Sequence, residues 1–305
     1  MIFKNSAYFI AYIPLKSAII LIRMLPHRAA ISLGKLTGML FFLLSATYRK
    51  VAVKNLKLAF ALGDKEAKAK ALSVFKEMGT TFAEIITLSP LSEKYLEENV
   101  HIEGYSNFIK AQKEGKGVFL LSAHLGNWEM LAAIHSMLTG SITVIYKKHK
   151  NPYVDGMITS LRRSSNIKVI PRRNSARKTI AALKSGETVG ILSDLHTSKG
   201  AQSVMVPFFG RPASTNYGIA ILAIKTGAPI VPAFTVRDER GRHLCTYEEP
   251  LFLKSTGNMD ADIKEGMATI NAIIEAKIRK YPSQWYWVHD RWKSASAPEE
   301  AAKAF

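Results

Sequence analysis

The sequence predicts an α/β protein with a largely parallel central sheet flanked by helices, preceded by a helical segment that associates with a membrane. Three observations lead to this prediction. Short apolar runs alternate with helical patterns from residue 117 onward, the first 63 residues contain no Asp or Glu, and 305 residues are enough for a large domain with a sizeable core. We expect a helical, membrane-associated segment over residues 1–95 and an α/β domain over residues 96–305.

The N-terminal segment combines apolar stretches with positive charge. Residues 1–63 hold nine Lys or Arg. Residues 6–25 are about long enough to span a bilayer, but a proline and two basic residues interrupt them, and residues 36–46 are too short. This pattern favours helices that lie on or partly in a membrane, with basic side chains toward anionic headgroups. Helices packed on the rest of the domain are the alternative.

Residues 64–88 form the next predicted helix, with Asp64 at its N-cap and apolar residues every three or four positions. Pro90 marks a boundary. Beyond it we predict strands at residues 118–122, 142–146, 168–171, 188–193 and 229–236, helices beginning near Asn127, Pro152, Ser175 and Ser214, and a final helix over residues 261–281. Strands separated by helical stretches are typical of a parallel sheet.

The composition indicates an anionic partner. Lys and Arg number 42 against 24 Asp and Glu, a net charge of +18. Nucleic acid, anionic lipid and an acidic carrier protein all fit this balance. A hydrophobic fraction of 48% and a mean hydropathy of +0.03 favour a membrane surface. Cys245 is the single cysteine, so no internal disulfide forms, and we expect a reducing compartment and no metal site.

The candidate chemistry lies in residues 118–129, an apolar run followed by a Gly-Asn turn and a helical pattern. The carboxyl end of a strand is where sites form in open α/β sheets, and His124 is placed there. Glu129, in the first turn of the helix, can fold back toward the imidazole. The pair fits general-base catalysis on a hydroxyl, with Glu129 fixing the tautomer of His124. A structural histidine is the alternative, and Ser122 lacks the nucleophile-elbow pattern.

The stretch from His124 to Glu129, His-Leu-Gly-Asn-Trp-Glu, resembles the H-x4-E block of the lysophospholipid acyltransferase superfamily, and most closely that of the lipid A late acyltransferases of the lauroyl and myristoyl type. The resemblance covers nearly the whole chain. It is also carried by Glu84 and by residues 49–56, 151–152, 206–215 (Val-Pro-Phe-Phe-Gly-Arg-Pro-Ala-Ser-Thr) and 281–289.

The resemblance implies transfer of an acyl chain from acyl carrier protein, or from acyl-CoA, to a hydroxyl of a lipid A precursor at the cytoplasmic face of a bacterial inner membrane, with no cofactor. Related members act on mannoside glycolipids. The family commonly has Asp-Gln where this chain has Asp194-Leu195, so only the role of Asp194 is carried over, as a substrate-binding residue. We assign Asn127 to substrate binding as well.

Residues 147–184 hold 11 Lys or Arg and one acid, Asp155. Arginine suits bidentate phosphate binding, and lipid A precursors carry phosphates. Within the family resemblance Arg163 falls in a matching Arg-Ser-Asn neighbourhood, so it is our preferred phosphate ligand, and we assign Lys184 to substrate binding as well. A solvated positive face beside the membrane is the alternative. A nucleic-acid-binding protein would interleave exposed aromatics with such a run, and Tyr153 is the only one here. A membrane-surface scaffold without catalysis would not need His124 and Glu129 together.

Overall fold

The computed structural model describes residues 2–198 and 202–294, so residues 199–201 and 295–305 of the expected α/β domain lie outside the described residues. Four long helices come first: α1 (Ile2–Met24), α2 (His27–Leu44), α3 (Ala46–Phe60) and α4 (Asp64–Thr87). The predicted helix at residues 64–88 is confirmed, although its N-cap is Gly63 and Asp64 lies in the first turn.

Helices and strands alternate in the rest of the described chain. The elements are α5 (Glu93–Asn99), β1 (Val100–Glu103), α6 (Tyr105–Gln112), β2 (Val118–Ser122), α7 (Trp128–Thr139), β3 (Ile142–Tyr146), α8 (Pro152–Arg163), β4 (Ile167–Pro171), α9 (Ser175–Lys184), β5 (Thr188–Leu192), β6 (Ser203–Phe208), β7 (Arg211–Asn216), α10 (Gly218–Thr226), β8 (Ile230–Arg237), β9 (His243–Tyr247), α11 (Met259–Lys280) and a 3-10 turn (Pro282–Gln284).

Seven strands form one sheet in the order β1-β9-β8-β2-β5-β3-β4. All neighbours in it are parallel except β8 and β9. The predicted α/β fold with a largely parallel sheet is therefore confirmed. The central strand β2 is buried along its whole length, because helices cover both faces of a parallel sheet.

The helix predicted to begin near Ser214 is wrong at its start. Ser214 lies in β7, which pairs with β6 in a separate antiparallel hairpin, and α10 begins at Gly218. Buried Arg291 explains why: its guanidinium donates to the carbonyl oxygen of Ser214 (2.7 Å) and the hydroxyl of Thr215 (2.6 Å). Arg291 is far from this segment in sequence, and its hydrogen bonds hold the segment extended.

Helix α1 is the exposed member of the N-terminal group. Its Ser6–Met24 stretch is long and apolar enough to cross a membrane, and none of its most apolar window is buried. It contacts the rest of the molecule at a few points: Arg23 donates to the backbone carbonyls of Ile86, at the end of α4, and Ser89, just after it, and Asn151 donates to the Tyr8 carbonyl (2.9 Å). Phe9 packs edge-on against Tyr153.

Helices α2 to α4 pack tightly onto the α/β part. Gly34 and Gly38 of α2 meet Gly79 of α4 so closely that a Cβ at Gly79 would lie 1.9 Å from the Gly34 carbonyl oxygen. Side chains of α2 and α4 such as Phe42 and Phe75 belong to the same apolar core as the sheet. Packing on the domain is therefore confirmed for α2 to α4, whereas α1 is exposed and apolar enough to be membrane-associated, and the boundary at residue 95 stays a prediction.

Candidate functional site

The candidate site lies at the carboxyl end of β2, at a topological switch point of the sheet, where connections leave to opposite sides. From β2 the chain goes through α7 to β3, on one side of β2, whereas after β5 it continues to β8 on the other side. Ligands bind at such switch points in open α/β sheets because the connections diverge and leave a crevice. His124 follows β2, and Asp194 follows its neighbour β5.

The turn that carries His124 is held on both sides by backbone hydrogen bonds. The amide of Tyr286 donates to the His124 carbonyl (3.1 Å), and the amide of Asn127 donates to the Thr235 carbonyl (2.9 Å). Gly126 has φ +58°, and a Cβ there would lie 2.1 Å from the Thr235 carbonyl oxygen. Only glycine fits this position, so the turn places the imidazole by backbone geometry.

The imidazole of His124 is paired with a buried carboxylate. Its Nδ1 lies 2.9 Å from Oδ1 of Asp194, and the His124 amide and the Trp285 indole donate to Oδ2 (2.9 and 2.8 Å). Burial alone would raise the pKa of Asp194, but the charge of the His124 imidazole and the three hydrogen bonds outweigh it and hold the pKa below its usual value. An ionised carboxylate only accepts hydrogen bonds, so Nδ1 carries the proton and Nε2 has its lone pair free.

Glu129 does not make the contact that we expected with His124. Its carboxylate instead forms a two-point ion pair with Arg162 of α8, with Arg162 Nε 3.0 Å from Oε2 and Nη2 on Oε1. The residue that fixes the His124 tautomer is therefore Asp194, not Glu129. The reason is the strand order: β5 is adjacent to β2, so Asp194, 70 positions away in sequence, lies closer to the imidazole than Glu129, five positions away.

Arg162 has a donor left over. Its side chain is 16% exposed, and among the described residues its buried Nη1 has no hydrogen-bond partner. The guanidinium also lies over the Tyr146 ring, 5.6 Å from the centroid. A fixed cation with an unused N–H can bind a carbonyl oxygen or another anionic group.

Asn127 is buried and has a structural role. Its side-chain oxygen caps α7 by accepting from the Met130 amide (3.0 Å), and its Nδ2 donates to Glu84 (3.0 Å). Glu84 also accepts from buried Arg237 (2.7 Å). These contacts occupy the side chain of Asn127. Its assignment to substrate binding stays a prediction, and the same holds for the substrate contact of fully buried Asp194.

The two basic candidates lie on the surface. Arg163 is exposed in the last turn of α8, next to Arg162 in sequence and close to Tyr146. Lys184 is exposed in the last turn of α9, which packs on β4, β5 and α10. Arg163 therefore lies at the edge of the site, and its role as a phosphate ligand stays a prediction, as does that of Lys184.

An apolar cavity opens beside Glu129 and Arg162. Its volume is about 60 Å³, and its lining also includes Ser122, whose hydroxyl is buried. Most of its wall is aliphatic and comes from β2, α7, β3 and β5: Leu120, Leu131, Ala132, Ile142, Val144 and Ile191. Such a wall suits a hydrocarbon chain and excludes water from the inner end of the site.

Three functional contacts were missed in the sequence. Trp285 and Tyr286 belong to an aromatic cluster whose Trp residues are buried in the core, yet Trp285 bonds Asp194 and the Tyr286 ring lies 6.0 Å from that of His124. Arg162 was passed over in favour of its neighbour Arg163. The orientation of α8 decides between the two arginines, and the sequence carries no signal for it.

The comparison with protein families decides the identity. The model of the family described as bacterial lipid A biosynthesis acyltransferase matches residues 3–294. The chain belongs to this family. It is accordingly an acyltransferase, and the family resemblance found in the sequence is confirmed.

Characterised members of the family are similar over most of their length. The chain is 26% identical over 281 residues to the lipid A biosynthesis palmitoleoyltransferase of Escherichia coli K12, covering 91% of this chain and 89% of the relative. It is 26% identical over 276 residues to the lauroyltransferase of the same organism, covering 90% and 88%. The phosphatidylinositol mannoside acyltransferase of Mycolicibacterium smegmatis is 24% identical over 224 residues, covering 72% and 71%. The relatives are acyltransferases of glycolipids.

Proposed function

We propose that this protein transfers a fatty acyl group from acyl carrier protein or acyl-CoA to a hydroxyl of an anionic glycolipid, a lipid A precursor, at the cytoplasmic face of a bacterial inner membrane. The observation that carries the proposal is the His124–Asp194 pair at the carboxyl end of β2, with Nε2 of His124 available to a hydroxyl. The acceptor comes from the names of the relatives, and the location from exposed, apolar α1.

The reaction follows from the tautomer of His124, whose Nδ1 carries the proton. Nε2 of His124 takes the proton of the acceptor hydroxyl while its oxygen attacks the thioester carbonyl carbon. The carbon–sulfur bond then breaks, and the leaving thiolate takes that proton from the imidazolium. Asp194 stabilises the imidazolium, as an orienting carboxylate does in a catalytic triad. General-base catalysis of this kind contributes about 10²–10⁴-fold.

Glu129 and Arg162 have a separate role in this scheme. The bidentate pair fixes the guanidinium at the mouth of the apolar cavity, with Nη1 free to donate. Negative charge develops on the thioester oxygen during attack, and a donor that is already in place stabilises it at little cost. Glu129 thus keeps the catalytic importance that its sequence block suggests, but it acts by positioning Arg162. The first carbons of the fatty chain contact the apolar wall of the cavity.

The test is acyl transfer by the purified full-length protein, with acyl carrier protein and coenzyme A thioesters offered separately and a lipid A precursor as acceptor. Mass spectrometry of the lipid detects the added acyl mass. We expect transfer by the wild type and its loss in His124→Ala. His101→Ala, at an exposed histidine in β1, is the matched control and keeps full activity. A folded His124→Ala protein with the wild-type rate would contradict the mechanism.

A mannoside glycolipid is the second candidate acceptor, because phosphatidylinositol mannoside acyltransferases are among the relatives. The same assay distinguishes the two. Transfer to a phosphatidylinositol mannoside but not to the lipid A precursor would assign the chain to the second acceptor and leave the roles of His124 and Asp194 unchanged.

A further inference from the structure

A basic groove lies between α3 and the start of α4, apart from the site described above. Its volume is about 510 Å³, within the roughly 300–1,000 Å³ of small-molecule sites. We call it the α3 groove. Five basic, one acidic and two apolar residues line it: Arg49, Lys50, Val53, Lys54, Lys57, Leu58, Asp64 and Lys68. The excess of positive charge in a concave surface favours an anion.

Two of the five cations are available to a ligand. The other three are engaged, one with carbonyl oxygens at the end of α2 and two with aspartates; these three are Arg49, Lys54 and Lys57. Lys50 and Lys68 are exposed and make no hydrogen bond or ion pair within the described part of the chain. Both ammonium groups are therefore free to bind an anion in the groove.

An exposed apolar surface adjoins the groove. Helices α2 and α3 meet at 94°, so the end of α2 lies beside the basic residues of α3. Leu43, Leu44 and Tyr48 are 58%, 83% and 47% exposed there. Apolar side chains next to cations are typical of a membrane interface, where acyl chains meet phosphates. An anionic lipid has both parts, a phosphate for the cations and acyl chains beside it for the exposed apolar residues.

Helix α3 also contacts the neighbours of the candidate base. Asn55 donates to the Trp287 carbonyl (2.8 Å). Tyr48, near the start of the helix, adds to burial in raising the pKa of Tyr286, and the Tyr286 ring lies 6.0 Å from that of His124. A ligand in the groove is therefore one helix away from the reacting hydroxyl.

We propose that the α3 groove binds a phosphate group of the anionic lipid acceptor, with Lys50 and Lys68 as ligands and the acceptor's chains along the exposed end of α2. The inference deepens the proposed function and rests on it for the identity of the acceptor. It assigns the groove to the acceptor, not to the phosphate groups of the acyl donor.

The experiment measures binding by the full-length protein in neutral detergent, using isothermal titration with three probes: dihexanoylphosphatidic acid, dihexanoylphosphatidylcholine and coenzyme A. The groove variant is Lys50→Gln with Lys68→Gln. The control is Lys35→Gln with Lys65→Gln, which removes two exposed charges from α2 and α4 outside the groove. One lysine near an anionic headgroup contributes about fivefold, so the groove variant should bind phosphatidic acid about 25-fold more weakly.

The control variant should bind phosphatidic acid as the wild type does, and coenzyme A affinity should not change in either variant. Equal losses in both variants, or unchanged affinity in the groove variant, would overturn the proposal. So would a loss confined to coenzyme A, which would assign the groove to the donor. Binding is measured without turnover, so a protein that fails to transfer acyl groups but shows the expected binding would refute the proposed function and leave the groove assignment standing.

Discussion

Replacing Asp194 by asparagine should abolish most of the activity while keeping the fold. The carboxylate is fully buried and accepts from the His124 Nδ1, the His124 amide and the Trp285 indole. Asparagine has one accepting oxygen, so its amide nitrogen must face one of these donors. Where it faces Nδ1, the imidazole moves its proton to Nε2, the atom that has to accept the proton of the hydroxyl.

The size of the loss follows from the tautomer. The same substitution in the catalytic triad of a serine protease lowers kcat about 10⁴-fold, and general-base catalysis contributes about 10²–10⁴-fold. We expect Asp194→Asn to fall in that range, about 2.7–5.4 kcal/mol of activation free energy at about 1.36 kcal/mol per tenfold. His124→Ala combined with Asp194→Asn should be no slower than His124→Ala alone, because residues that act as a unit are not additive.

The assay is the rate of ester formation at saturating donor, with the melting temperature of each variant measured alongside. Asp262→Asn is the control: Asp262 is also a buried carboxylate, it accepts from Thr256 (2.9 and 2.6 Å), and it lies on α11. This control should lose stability but not kcat. A folded Asp194→Asn protein with the wild-type kcat would refute the pairing as the source of the base's reactivity.

Four other predictions can be tested with the same protein. Removing residues 1–25 should release the protein from membranes in fractionation without unfolding it, because α1 is exposed; continued sedimentation with membranes would locate the anchor elsewhere. Glu129→Gln should lower kcat about 10²-fold by displacing Arg162, while the shape of the pH–rate profile is kept; an altered profile would indicate direct contact with the base. Arg163→Ala should raise KM for a phosphorylated acceptor and not for a dephosphorylated one, and equal effects on both would exclude it as a phosphate ligand. Burial lowers the pKa of His135 from 6.5 to about 4, so as the pH falls through this range the unfolded state takes up the proton and the folded state does not. The free energy of unfolding should therefore fall by about 3 kcal/mol from pH 6.5 to pH 4 in urea titrations, and His135→Gln should remove this contribution.

Much of the fold could be predicted because the central strands carry a strong local pattern. The predicted strands at 118–122 and 142–146 match β2 and β3, since buried parallel strands are continuous apolar runs. β1 and β9 were missed. β1 has four residues with alternating exposure, and β9 follows a tight turn with polar residues. β1 is the edge strand and β9 lies between β1 and β8, so both form strands by pairing with segments distant in sequence, which a local pattern does not reveal.

The sequence predicted where the site lies but not which side chains contact each other in it. His124 could be placed from the strand end, but its partner depends on the order of strands in the sheet, which differs from their order in sequence. β5 is the immediate neighbour of β2, although β3 and β4 lie between them in sequence. Asp194 was found only through the family pattern, and with a different role. Trp285 lies in the stretch 281–289 that carries the family resemblance, but its hydrogen bond to the carboxylate was not predicted.

Helix α4 connects the N-terminal helices to the catalytic turn. One of its faces meets α2 through Gly79, and another carries Thr81 and Glu84, which bond the Gly126 carbonyl (3.2 Å) and Asn127 (3.0 Å). Buried Arg237 holds both side chains, at 2.9 Å from the Thr81 hydroxyl and 2.7 Å from the Glu84 carboxylate. Separating a buried ion pair costs about 3–5 kcal/mol, so the turn cannot shift relative to α4 without a large penalty. The turn that carries His124 is therefore kept at a fixed position relative to α4 and, through the close contact at Gly79, relative to α2.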